Sequence, residues 1–145
     1  MRHFLYKEYV AGAPRGDGGI GMISIPDDSL MYRVPEGAVE VGPTPVPEDK
    51  SGTYFEAWRL GDDGEVTVDL GKAKEIRLEY LRKRREKTLK ELDKAQFRAY
   101  CAGDEDAIKR IEKTKDGLRD FPERIDWDSV TELRHVQHVF PPELV

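Results

Sequence analysis

The chain has 145 residues, of which 37% are charged and 38% hydrophobic, so we expect one ordinary domain, or one small domain with an extension, and a modest core. No apolar run approaches the roughly 20 residues of a membrane span, and charge interrupts the first residues before a secretory signal develops, which predicts a cytoplasmic protein at synthesis. The only cysteine, Cys101, excludes an internal disulfide and a cysteine-based metal cage.

The net charge of -5 is unevenly distributed along the chain. Residues 71–119 contain 16 Lys and Arg against 10 Asp and Glu, a net of +6, while the rest contains 8 against 19, a net of -11. This asymmetry favours an acidic partner or head-to-tail contact between copies of the chain. A solvated helix surface with local ion pairs is the alternative.

Residues 1–70 predict a β-rich N-terminal domain. The last two candidate strands flank Gly61-Asp62-Asp63-Gly64, and Val66, Val68 and Leu70 alternate with polar residues. This pattern predicts an antiparallel β-hairpin whose final turn residue has a positive φ. All the candidate strands are rich in Val, Ile, Tyr or Phe between Gly and Pro: His3–Val10, Ile20–Ile25, Leu30–Val34, Ala38–Val41, Thr53–Leu60 and Glu65–Leu70.

Two segments of this domain predict loops. Ala11–Gly19 is rich in glycine, and we expect it to be mobile. Residues 42–52 form a Pro-rich arm with alternating Pro43, Pro45 and Pro47, which block sheet hydrogen bonds and favour an extended, polyproline-like conformation. These three prolines are candidate partner-binding residues.

Residues 71–145 predict a long helical hairpin followed by a short terminal helix. Asp69 can cap a first helix with its body at Lys72–Ala102, a rod of about 45–50 Å at about 1.5 Å per residue. Gly103 suits a left-handed stop, Asp104 caps the returning helix, and Phe121-Pro122 ends it. Ser129–Glu132 resembles a capping box that opens a last helix reaching His138.

The apolar stripe of the first helix breaks at Arg82–Lys87. We expect that helix to pack on the β part with its first half and on the returning helix with its second half, leaving a solvated or partner-facing middle. The basic collar there supplies the remaining partner-binding candidates: Arg82, Lys83, Arg84, Arg85 and Lys87. Because four consecutive basic residues point in all directions, they favour an acidic protein surface over a nucleic-acid backbone.

No catalytic, metal or cofactor pattern emerges from the sequence. His135 and His138 lack a third ligand at a convincing spacing, and no helix start or histidine lies near Cys101 to activate its thiol. We therefore expect a non-enzymatic protein without a cofactor or metal, with an α+β fold: a small N-terminal antiparallel β part with a β-hairpin, then a long helical hairpin and a short C-terminal helix.

Several short runs of the chain together form a recognisable order: Phe55–Trp58, Val66–Arg77, Leu89, Leu92, Asp93, Gln96, Arg98, Ala99, Gly103, Asp104, Ala107, Ile108, Lys115–Asp120 and Thr131–Leu133, followed by a terminal proline. On these residues, positions 53–145 resemble a family of small bacteriophage tail proteins of the tail-assembly and tail-fibre-associated type. The family typically reads Lys-Gln-x-Leu-Arg-Asp-x-Pro where this chain has Lys115–Asp120, and the departure places Gly117 inside the helix, which predicts a weakened last helical turn.

The resemblance implies a virion structural or adaptor component associated with a tail fibre, spike or baseplate. The alternatives are a tail-fibre assembly chaperone absent from the mature virion and, less favoured, a nucleic-acid-binding phage protein. The implied partners are tail fibre, spike or baseplate proteins, or copies of the chain itself, and no membrane. The implied location is the host cytoplasm during assembly and then the virion tail.

Overall fold

A computed structural model describes residues 1–10 and 13–144 of the chain. They form two compact units, Met1–Ala73 and Lys74–Val145, so the division falls inside the first turn of the long helix, slightly beyond the predicted boundary at residue 70. The fold is α+β, as predicted: short antiparallel strands precede two long helices and a short C-terminal helix.

The first unit is built around a three-stranded antiparallel sheet. Strand β1 (Arg2–Lys7) pairs along its whole length with β4 (Ile20–Ile25) and on its other edge with β5 (Val39–Val41). Phe4 and Leu5 are both buried although they point to opposite faces, so both sides of the central strand are covered. Strands β2 (Tyr9–Val10) and β3 (Ala13–Pro14) form a separate small ladder.

The predicted strand Leu30–Val34 was wrong, because Asp28–Arg33 form a 3-10 helix. The Asp27 carboxylate accepts a hydrogen bond from the Ser29 backbone N–H at 2.8 Å, and this local bond offers the chain an alternative to sheet pairing. The predicted strand His3–Val10 is likewise divided at Glu8, between β1 and β2.

The predicted β-hairpin is confirmed. Strand β6 (Trp58–Leu60) pairs antiparallel with β7 (Val66–Val68), and Gly64 has a φ of +82° in the turn between them. Both strands are shorter than predicted, because Phe55–Ala57 form a 3-10 turn and Asp69 already caps the next helix.

The Pro-rich segment is folded into the first unit and is not a free extended arm. Pro47–Asp49 form a 3-10 helix, Val46 is buried, and Asp49 is only 2% exposed. The Asp49 carboxylate accepts hydrogen bonds from the Tyr54 backbone N–H at 2.8 Å and from the Trp58 indole N–H at 3.0 Å. Both donors are buried, so this carboxylate fixes the turn before β6.

Two long helices follow, as predicted. Helix α1 (Leu70–Ala102) begins at the Asp69 cap, whose carboxylate accepts from the Lys72 N–H at 3.1 Å. It ends at Gly103, which has a φ of +68°. Helix α2 (Glu105–Arg124) begins at Asp104, which accepts from the Ala107 N–H at 3.1 Å.

The second unit has its core around Leu81 of α1, immediately before the break in the apolar stripe. Leu81 is 0% exposed and packs in one cluster with Leu118, Phe121 and Leu144. Leu89, Leu92, Ile125 and Val139 pack around this cluster. The residues of the break, Arg82–Lys87, are exposed apart from the half-buried Arg85, so the predicted solvated middle is confirmed. The predicted packing of the second half of α1 on α2 is also confirmed.

The last part of the chain closes over this core. Helix α2 continues to Arg124 with Pro122 inside it, beyond its predicted end, and the Arg124 guanidinium donates to the Gly117 carbonyl at 2.8 Å. Helix α3 (Leu133–His138) ends where predicted, but its N-cap is Glu132 and makes no side-chain capping bond, so the capping box was wrong.

Candidate partner-binding surface

The predicted basic collar is divided between internal packing and solvent. The Arg84 guanidinium lies 5.3 Å from the centre of the Phe140 ring, and that of Arg85 lies 5.5 Å from the Phe121 ring. The Arg85 guanidinium thus covers a buried core ring and that of Arg84 lies over a more exposed one, as arginine side chains commonly do. Arg82, Lys83 and Lys87 are exposed, so only these three predicted collar residues are fully available to a partner.

The exposed face of α1 carries a longer basic pattern that the sequence reading missed. It comprises Lys83, Lys87, Lys90, Lys94 and Arg98, all exposed. At about 100° per residue these five side chains fall within about 80° of arc, over about 22 Å of helix, and no acidic residue between Lys83 and Arg98 shares that arc. We call this set the basic stripe. Its spacing of 4, 3, 4 and 4 residues was the signal that could have revealed it.

The turn end of the helical hairpin exposes two aromatic side chains. Phe97 is 70% exposed and Tyr100 is 64% exposed, and they lie one helical turn apart on α1. Tyr100 also borders a groove with Gly103, Glu105, Ile108 and Lys109. Large exposed aromatics that lie together mark interaction sites more often than isolated ones do. We call Phe97 and Tyr100 the aromatic tip.

A buried lysine joins the two helices of the hairpin. Lys115 of α2 is 5% exposed, and its ammonium donates to the Asp93 carboxylate at 2.5 Å and to the Gln96 side-chain oxygen at 2.6 Å, both on α1. The Gln96 amide in turn donates to Glu112. The ammonium is therefore paired inside the hairpin, where it fixes the register of the two helices and is not available to a partner.

Gly117 has a role that its departure from the family pattern did not suggest. A Cβ at this position would lie 2.8 Å from the Glu143 carboxylate, so the glycine leaves room for the 3-10 turn Pro142–Leu144 to lie against α2. Arg124 pairs with Glu143 at 2.6 Å. Glu143's own backbone N–H and then Arg124 lower the pKa of its carboxyl group.

The Pro-rich candidates differ in exposure. Pro43 and Pro47 are exposed and Pro45 is half-buried, but the segment is held by Val46 and Asp49. It can present a fixed ridge to a partner but is anchored too firmly to wrap around one as an extended arm.

The predicted mobile loop Ala11–Gly19 is partly structured. Ala11 and Gly12 lie outside the described residues. Beyond them, Arg15 forms ion pairs with Glu8 at 2.9 Å and with Asp17 and Glu56 at 2.7 Å. The Gly19 backbone N–H and then Arg15 lower the pKa of the Asp17 carboxyl group. The loop is thus bound to the first unit by one guanidinium.

A small pocket lies beside α3 in the second unit. It has a volume of about 300 Å³ and is lined mainly by apolar side chains, among them Phe121, Ile125, Val130 and Phe140. Arg124 also lines it, but this guanidinium is already engaged by Glu143 and the Gly117 carbonyl. Asp126 and Ser129 also line the pocket, and the Ser129 hydroxyl donates to the Asp126 carbonyl at 2.9 Å.

Comparison with protein-family models, with curated proteins and with solved structures gave no match to this chain. Within residues 1–10 and 13–144, no group of three or more His, Cys, Asp or Glu side chains could hold a metal ion. No described helix combines the length and the apolar character that crossing a membrane requires.

Proposed function

We propose that the chain is a non-enzymatic bacteriophage tail protein, a virion structural or adaptor component associated with a tail fibre, spike or baseplate. The observation that carries the proposal is the helical hairpin, which packs through residues that the family resemblance also contains. Leu89, Leu92 and Leu118 belong to its core or lie against it. Asp93, Gln96 and Lys115, which are also in the resemblance, form the polar link between its helices.

The basic stripe supports an adaptor role. It lies on the hairpin and all its residues are exposed. A stripe of one charge sign favours a partner surface of the opposite sign and speeds encounter with it. An acidic face of a fibre, spike or baseplate protein is the partner chemistry that fits the stripe.

Mass spectrometry of purified virions tests the adaptor role. We expect the chain at a fixed stoichiometry to the tail proteins. Its absence from virions, together with its presence in complexes with unassembled fibre protein, would replace the adaptor role with that of an assembly chaperone. Absence from both would remove the tail proposal altogether.

Co-purification with the tail-fibre protein of the same phage tests whether the basic stripe is the binding surface. We expect Lys87→Glu with Lys90→Glu to weaken capture at least tenfold, because the pair reverses two charges in the centre of the stripe. The matched control is Arg110→Glu with Lys113→Glu, which reverses two charges at exposed positions of α2 outside the groove at the aromatic tip. Equal losses in the two variants would show that the stripe has no special part in binding.

Nucleic-acid binding is the second candidate function, and the basic stripe is the observation that favours it. Five cations along one helix face can follow a phosphate backbone, and such binding weakens steeply as salt rises. A low-salt mobility-shift assay with duplex DNA and with RNA tests it. No shift at protein concentrations up to about 10 µM would remove this candidate, since even non-specific binders reach micromolar affinity at low salt.

A further inference from the structure

We propose that the hairpin ends of two copies of this chain bind each other through the aromatic tip, around a two-fold axis. The inference is independent of the proposed tail function, since it rests on the surface of the hairpin alone. Phe97 and Tyr100 are the starting point, because the two neighbouring rings are 70% and 64% exposed at a helix turn. Burying exposed aromatic rings against a partner removes their apolar surface from water, and this favours formation of the complex.

The surface around the tip has a definite order. Going around α1, Lys94 and Arg98 lie on one side of Phe97, and Tyr100 lies on the other side. Beyond Tyr100 comes the groove that contains Glu105, at the start of α2. Across this end of the hairpin, the surface is therefore basic on one edge, aromatic in the middle and acidic on the other edge.

Four charged side chains on the two edges have no ion-pair partner among the residues that the structure describes. Lys94 and Arg98 on the basic edge, and Glu105 and Asp106 on the acidic edge, are exposed and form no ion pair with any other described residue. Asp104 also belongs to the acidic edge, where it caps α2. Lys109 lies in the groove beyond this edge and offsets part of its charge.

This order of charges favours a second copy of the chain as the partner that binds the aromatic tip. A two-fold axis that passes between the aromatic tips of the two copies places the basic edge of each copy against the acidic edge of the other. The same charged contact therefore forms twice. Such an interface is self-complementary, as the isologous contact of a two-fold dimer must be. An unrelated partner would have to carry the mirrored order of charges, which a second copy carries by symmetry.

The size of the patch sets the strength of the contact. An aromatic side chain presents about 150–250 Å², so four rings at these exposures bury roughly 550 Å² of ring surface between two copies. Even with its charged rim, this interface stays below the size of a standard specific interface, in the range of weak, transient contacts. We therefore expect a weak, reversible dimer with a dissociation constant in the micromolar range.

Sedimentation equilibrium of the full chain, at concentrations from about 10 to 500 µM, tests the proposal. We expect a reversible monomer–dimer equilibrium. Phe97→Gln with Tyr100→Gln should raise the dissociation constant at least tenfold, while far-UV circular dichroism stays unchanged because both positions are exposed. Tyr32→Gln is the matched control, since it removes another highly exposed aromatic in the first unit. A monomer throughout, or a dimer that the double variant does not weaken, would overturn the proposal.

A charge exchange tests the orientation. Arg98→Glu should weaken the dimer at least threefold, and adding Glu105→Arg should restore it, because each residue faces its counterpart across the axis. No restoration would overturn the two-fold arrangement.

Cross-linking through Cys101 tests the same two-fold arrangement. It is exposed and lies one turn from Phe97, so a short bismaleimide should link two copies, and Cys101→Ser should abolish the product. A dimer by sedimentation that yields no cross-link would place the interface elsewhere.

Discussion

Substituting Leu81→Ala tests where the core of the second unit lies. Leu81 is fully buried against Leu118, Phe121 and Leu144, directly beside the basic collar. The change removes about three methylene equivalents, worth roughly 2.4 kcal/mol at about 0.8 kcal/mol each. A residual cavity adds to this loss, because the surrounding rings and the two-helix frame can collapse only in part. We expect the free energy of unfolding of this unit to fall by about 3–4 kcal/mol.

Urea denaturation followed by circular dichroism at 222 nm measures this change, since most of the helix belongs to α1 and α2. Arg82→Ala is the control. It lies one residue further along the same helix, but its side chain is exposed, so we expect a change within about 0.5 kcal/mol. A loss below about 1 kcal/mol for Leu81→Ala, or a larger loss for the control, would refute the placement of the core.

Three other substitutions test polar contacts. Asp49→Ala should lower the free energy of unfolding by about 2–3 kcal/mol, because it leaves two buried hydrogen-bond donors unpaired. Tryptophan fluorescence during urea denaturation measures this change. A loss below about 0.5 kcal/mol would show that the Asp49 carboxylate does not fix the turn before β6. Asp93→Asn should lower the free energy of unfolding by about 1–2 kcal/mol, because it leaves the buried ammonium with neutral acceptors only, and Lys115→Met in the same chain should recover most of this loss. No recovery would show that the ammonium is not the cause. Glu143→Gln should lower the free energy of unfolding near neutral pH. The difference from the unmodified chain should shrink as the pH falls below the ordinary pKa of a glutamate and through the lowered folded-state pKa of Glu143, because this pKa shift stabilises only the ionised form. A difference that does not change with pH would point to packing.

Local patterns in the sequence predicted those elements that depend on neighbours in the chain. The Gly61–Gly64 turn, the Asp69 cap and the Gly103 stop all form as predicted, because each is decided by a side chain or a φ angle within a few residues. The predicted strand at Leu30–Val34 failed for a related reason. There the cap at Asp27, which the propensity of the following residues does not reveal, decided the outcome.

The sequence could not predict what distant segments cover. The core around Leu81 had no local signal, because the residues that pack on it, Leu118, Phe121 and Leu144, come from much later in the chain. For the same reason the stacking of Arg84 on Phe140 had no local signal. The basic stripe, in contrast, has a local signal in the spacing of its residues. The four consecutive basic residues Arg82–Arg85 indicated a collar around the helix instead of a stripe along it.

The site was predicted less completely than the fold. Of the collar candidates, Arg84 and Arg85 are engaged with rings of their own unit, and the prolines lie in a segment anchored by Asp49. The aromatic tip was missed entirely. Exposure of Phe97 and Tyr100 follows from which face of α1 meets α2, and an isolated helical pattern does not determine that face when most of its residues are polar.

The position of the core has a kinetic consequence for the hairpin. The large buried side chains lie around Leu81 and Leu118, whereas near the turn Ala99 is the only buried hydrophobic among the described residues 93–114. We therefore expect local opening to begin at the turn, and amide hydrogens near Ala99 to exchange with solvent faster than those near Leu81. The end of the hairpin that displays its aromatic rings is also the end that opens first, so any contact made there protects the least stable turns of the molecule.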